Sequence, residues 1–146
     1  MPRIFISYRR SDSADAAKRL YQPLVDAFGK QNIFKDVDSI PLGMDFRAVI
    51  ERELIACDIM LVVIGLAWLT VSDGAGNRRL DNPEDFVRIE VELGLRHSNV
   101  RVIPVLINGA NMPTEEELPP RLAMLHFKNA AFVRNDPDFD DDVLRL

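Results

Sequence analysis

Cysteine is almost absent from this chain. The single thiol, Cys57, excludes an internal disulfide framework and fits a reducing compartment. Histidine is nearly as scarce, with only His97 and His126, so a structural zinc site has too few ligands. Basic charge is not in excess either. The 18 Lys and Arg stand against 23 Asp and Glu, a formal net charge of −5. That balance argues against general nucleic-acid binding and against attraction to an anionic membrane. Long apolar runs are missing as well. The longest, Ile59 to Leu69, is about half of what a membrane helix needs. Residues 1–7 turn polar too soon for the core of a signal peptide. No repeat, low-complexity tract or linker is visible. A cytoplasmic location is the expectation.

What is present suits one globular domain. The chain has 146 residues, 47% of them hydrophobic and 28% charged. A chain of this size hides about two-thirds of its unfolded surface and needs no staples. Short apolar runs alternate with segments of helical period. Residues 3–7 carry Ile4, Phe5 and Ile6 and read as a buried strand. Ser11 to Ser13 offer N-caps to a helix with Ala17, Leu20, Leu24 and Phe28 on one face, which Gly29 stops. Ile33-Phe34-Lys35 is a second strand. Asp36 to Gly43 is a loop, after which Asp45 caps a helix bearing Phe46, Val49, Ile50 and Leu54. Ile59 to Ile64 is the strongest strand, and its unbroken apolar run predicts burial on both faces. A long polar connection follows from Gly65 to Pro83, and Asn82-Pro83-Glu84 is read as the start of the next helix. Val100 to Ile107 is a fourth strand, Pro119 to Leu125 a short helix, Ala130 to Val133 a weak fifth strand. A last helix begins at Phe139. The chain stops only a turn or two into it, which suggests a piece cut from a longer protein.

This alternation predicts an α/β fold: a single doubly wound domain with a five-stranded parallel sheet flanked by helices. Ligands of such folds bind outside the carboxyl ends of the strands. The loops to watch are therefore Ser7–Ser13, Asp36–Asp45, Gly65–Asp85 and Ile107–Thr114. Several common uses of the fold are excluded. The first strand runs into Tyr8-Arg9-Arg10 with no glycine, so the dinucleotide fingerprint is missing. Gly74-Ala75-Gly76 lies in mid-loop and reads as a turn. A P-loop is absent. The acidic pair and the aspartate that a phosphoacceptor domain needs after its first and third strands are absent too. Cys57 has no histidine nearby in sequence and reads as a buried, inert thiol rather than a nucleophile. Asp36-Val37-Asp38 could hold a divalent cation, but two carboxylates without a third read better as a hydrogen-bonded turn. No metal site and no bound cofactor are expected.

Three segments, in order, carry a resemblance. They are Ile4-Phe5-Ile6-Ser7-Tyr8-Arg9-Arg10-Ser11-Asp12, then Ile33 through Gly43, then Asp85-Phe86-Val87-Arg88-Ile89-Glu90-Val91-Glu92. Together they resemble a Toll/interleukin-receptor (TIR) domain of the bacterial, NAD-cleaving kind. The first is similar to that family's opening strand with its Phe-Ile-Ser-Tyr-Arg pattern. The second is similar to the second strand and the BB loop. The third is similar to the segment that bears the catalytic glutamate. The resemblance spans residues 2–146 and implies the flavodoxin-like TIR fold. It also implies a split in function. Some members cleave the nicotinamide–ribose bond of NAD, giving nicotinamide with ADP-ribose or a cyclic isomer, and bacterial ones serve as immune effectors. Others are non-enzymatic modules that only bind further TIR domains.

By this resemblance Glu90 is the catalytic residue and NAD the substrate. The departing pyridinium leaves neutral without a general acid, and one carboxylate can stabilise the oxocarbenium-like transition state. The plain alternative for Glu90 is a surface helix acid. Glu92 lies about 200° further around the helix, so the two cannot line one pocket. Phe86 shares the face of Glu90. Many active members have tryptophan there, and phenylalanine offers less stacking area and no N–H. Arg9 and Arg10 are candidates for the pyrophosphate, with Arg9 favoured, against a solvated pair or a salt bridge to Asp12 or Asp36. Tyr8 and Phe34 are candidate pocket residues, with core packing as the alternative. Leu42 and Gly43 belong to the BB loop (Asp36 to Asp45), which by resemblance gates the pocket and mediates self-association or contact with other TIR domains. Trp68 reads as half-buried and structural.

Overall fold

A computed structural model describes residues 2–35 and 43–144. The strands are β1 (Ile4–Ser7), β2 (Ile33–Lys35), β3 (Ile59–Ile64), β4 (Arg101–Ile107) and β5 (Ala131–Val133). The helices are α1 (Arg10–Phe28), α2 (Phe46–Ile55), α3 (Phe86–Arg96) and α4 (Phe139–Leu144). All pairings are parallel, in a five-stranded sheet of order β2-β1-β3-β4-β5. The doubly wound prediction therefore holds. The order reverses direction at β1 and β3, which makes the carboxyl ends of those strands the natural ligand crevice.

Strand alternation divides the core in two. Ile4, Ile6, Leu61, Val63, Val105 and Ile107 face α1 and α4, meeting Leu20, Leu24, Phe139 and Val143. Phe5, Met60, Val62, Ile64, Val102 and Leu106 face the other side, against Ile50, Leu54, Ile89 and Leu93 of α2 and α3. Both sheet faces are thus covered, which accounts for the unbroken apolar run of β3.

Several boundaries differ from expectation. Helix α1 begins at Arg10, with Arg9 in extended geometry and no side-chain cap. Ser13 leaves helical geometry (φ −142°, ψ 27°), so the serines expected to cap lie at a kink just inside the helix. Asp12 serves a different end: its carboxylate accepts from Gly65 N–H (2.9 Å) and Ala67 N–H (2.8 Å), tying α1 to the end of β3. Helix α3 starts at Phe86, and Asp85 rather than Asn82 is its N-cap. Asn82 instead forms a turn ahead of it, its side chain accepting from Glu84 N–H at 2.9 Å. Pro120–Phe127 is a run of 3₁₀ helix, not an α-helix. Asp45 caps α2 as expected, accepting from Arg47 N–H at 3.0 Å, and Gly29 ends α1 at φ +90°.

The long connection after β3 is not loose. Trp68 and Leu80 are both fully buried and pin it to the core. Trp68 was expected to be half-buried. Its indole is enclosed completely, and its Nε1 has no partner among the described residues. Residues 73–77 close a tight turn in which the Asp73 carboxylate accepts from Ala75 and Asn77 N–H.

Candidate active site

Strand β1 delivers the first part of the site. Phe5, Ser7 and Arg9 follow one another at period two, so once Phe5 faces α3 the next two do as well. Ser7 Oγ donates to Glu90 Oε1 at 2.8 Å. Arg9 donates through both terminal nitrogens to Asp85, at 2.8 and 2.7 Å. Helix α3 is therefore fastened to the end of β1 twice, by a hydroxyl one turn in and by a bidentate ion pair at its cap. Asp85 also accepts from Arg88 N–H at 3.1 Å, so one carboxylate caps the helix and holds the arginine.

Beside these contacts lies an open cleft of about 430 Å³ at the carboxyl end of β1. Its lining includes Tyr8, Arg9, Arg10, Phe86 and Glu90, five residues expected at the site. Glu90 is not the surface acid of the plain alternative. It is only 6% exposed, because α3 is covered on nearly every side by the sheet, by α2 and by the 3₁₀ segment. Glu92, equally buried, turns away from the cleft and pairs with Arg121 at 2.9 Å. The angular argument that separated the two glutamates is met. Phe86 is 40% exposed and so not a core residue. It forms the cleft rim and packs its ring on Phe46, centroids 5.0 Å apart.

Other expectations come out differently. Arg9 is 2% exposed and its fork is committed to Asp85, not to Asp12, so a direct grip on pyrophosphate would have to displace a buried carboxylate. Phe34 is not part of the cleft lining. Its ring packs against the core and lies under the Arg3 guanidinium at 4.8 Å. Gly43 adopts φ +83° with nothing within 4 Å of where a Cβ would stand, and it does not line the cleft. Leu42, the carboxylates Asp36 and Asp38, and most of the BB loop lie outside the described residues. Burial pushes the Cys57 thiol up to about 11, which keeps it protonated at neutral pH, as an inert buried cysteine should be.

The cleft also takes in residues that the sequence reading passed over. Asp73, Arg79, Asn82 and Glu84 come from the long connection after β3 and form its outer wall. Ser7 could have been found from its period-two spacing to Phe5. Asp85 could have been found as the capping aspartate before an apolar helix. Arg79 and Asp73 carry no local signal, since only the path of the connection brings them back over β1.

A doubly wound domain with a buried carboxylate at its topological switch point defines the class. The family follows: the model for the TIR domain matches residues 4–146, and the chain belongs to that family. Among solved structures, the chain is similar to the TIR domains in the structure of the activated Roq1 resistosome directly recognizing the pathogen effector XopQ. That match has a TM-score of 0.68 at 11% sequence identity, covering 99% of this chain and 96% of that one. At that identity the likeness speaks for the fold. No curated protein matches the sequence. No helix among the described residues is long and apolar enough to cross a membrane.

Proposed function

We propose that this TIR domain cleaves NAD between nicotinamide and ribose, with Glu90 as the catalytic carboxylate. The observation that carries this reading is the setting of Glu90, a carboxylate kept almost wholly out of water on the wall of an open cleft. Burying such a group is costly unless it is held, and here Ser7 holds one oxygen. A carboxylate so oriented can stabilise positive charge developing on the ribose and can hold the ribose hydroxyls. The pyridinium takes the bonding electron pair and leaves as neutral nicotinamide. Water then adds at the ribose carbon and loses a proton, giving ADP-ribose, or a nucleophile within the same molecule closes a cyclic isomer. Phe86 supplies an aromatic face at the rim for a base. The resistosome named for the similar Roq1 TIR domains supports reading this activity as that of an immune or signalling effector.

Proton NMR of NAD incubated with concentrated protein tests this. Wild type should release nicotinamide, and Glu90→Gln should release none. Release that survives in the variant would remove Glu90 from the role. A wild type that is silent in solution and also when clustered on a surface would favour a second reading, a non-enzymatic module for TIR–TIR contact. The assembled state named for the Roq1 TIR domains supports weighing that reading and the accompanying proposal of self-association through the BB loop.

A further inference from the structure

The arginines around the cleft are not equivalent. Arg9 gives its fork to Asp85. Arg78 pairs with Asp81 and donates to the Glu117 carbonyl. Arg88 donates to the Leu80 carbonyl at 3.0 Å, and Arg10 is already engaged. Arg79 lines the cleft, is exposed, and has no side-chain partner among the described residues. Its backbone is nevertheless well anchored. Its N–H donates to the Val71 carbonyl at 2.9 Å, and the next residue, Leu80, is fully buried. An uncommitted guanidinium on a fixed backbone at a cleft wall is a ready receptor for phosphate oxygens, because its planar fork matches them and little order is lost on binding.

The charge around it gives that cation a task. Asp73, Glu84, Asp85 and Glu90 all border the same space, and Asp85 already cancels Arg9. An anionic ligand entering the cleft would otherwise meet mainly acids. Resting on the reading of this cleft as a nucleotide site, we infer that Arg79 binds the diphosphate of the dinucleotide, the part that Arg9 is too committed to serve. Arg79 then sets the affinity for the phosphorylated substrate. The sequence pair Arg78-Arg79 divides the labour: the first arginine braces the connection and the second faces the ligand.

The test is calorimetric titration of ADP and of adenosine into wild type, Arg79→Gln and Arg79→Lys. Arg101→Gln, at the opposite end of the sheet, controls for loss of any exposed arginine. Arg79→Gln should weaken ADP binding about tenfold, the scale of one charge-assisted contact, and leave adenosine unchanged. Arg79→Lys should recover part of the loss. In NAD turnover, Arg79→Gln should raise KM about tenfold with kcat within about twofold, because the contact is made equally in ground and transition states. Wild type that binds no ADP, or ADP binding indifferent to Arg79, would overturn the assignment. Wild type that binds ADP through Arg79 yet releases no nicotinamide would keep the phosphate subsite and overturn the cleavage reading. Turnover with a KM indifferent to Arg79→Gln would do the reverse.

Discussion

At Arg9 and Asp85 two opposite charges are taken out of water together, with side-chain exposures of 3% and 10%. Such a pair is near balance when intact and costly when halved, because the survivor keeps its desolvation without its partner. Arg9→Met should therefore lower unfolding stability by about 3–5 kcal/mol. Arg9→Met with Asp85→Asn should recover much of that, since asparagine still caps α3 and carries no stranded charge. Urea denaturation of both variants checks this, and an Arg9→Met protein within about 1 kcal/mol of wild type would show the pair to be dispensable. The same logic changes the view of Glu90→Gln. An exposed helix acid could be changed at no cost, but Glu90 is buried and accepts from Ser7, so the variant's melting temperature has to be measured beside its activity.

At the scale of elements, close approach decides which glycines tolerate change. A Cβ on Gly65 would stand 2.6 Å from both carboxylate oxygens of Asp12, the group that caps the turn after β3. Gly65→Ala must displace that carboxylate, and we expect a loss of about 1–3 kcal/mol. A Cβ on Gly94 would meet Met60 Sδ at 2.5 Å. That neighbour is an adaptable thioether, and alanine gains about 1 kcal/mol of helix propensity, so Gly94→Ala should be near neutral. Thermal melts of the two variants side by side test the contrast, and equal losses would refute it. Gly43 makes a third case. Proline there looks in sequence like a lock for the BB loop, yet φ +83° lies far from the −65° that proline requires. The substitution would distort the backbone at the mouth of α2 instead of rigidifying it.

At the scale of the whole molecule, the carboxyl edge of the sheet is apolar as well as charged. Met44 and Leu66, on connections from strand to helix, and Phe86, the first residue of α3, are 47%, 71% and 40% exposed. If self-association covers this edge and helps enclose the cleft, activity per protomer should rise more steeply than linearly with concentration. Nicotinamide release measured over about a hundredfold dilution series, beside sedimentation velocity, checks this. Constant specific activity throughout would mean that one copy holds a complete site.

The layered α/β plan was legible in the residues. Unbroken runs such as Ile59–Ile64 require cover on both faces, and helical periods between them provide it, so five strands, their parallel sense and the caps Asp45 and Gly29 follow from local chemistry, while the starts of α1 and α3 do not. The segment around Glu90 was legible through its likeness to known TIR domains. Burial was not. Whether Glu90 is a surface acid, whether Arg9 is free for phosphate, and which arginine faces the cleft depend on contacts 39 to 83 residues apart in chain order. Periodicity orients a side chain relative to its own strand or helix. It cannot say what another element brings to meet it. Packing α3 across the end of β1 is what buries Glu90 beside Ser7 and hands Arg9 to Asp85. The folding back of the connection after β3 sets Arg79 over the same cleft.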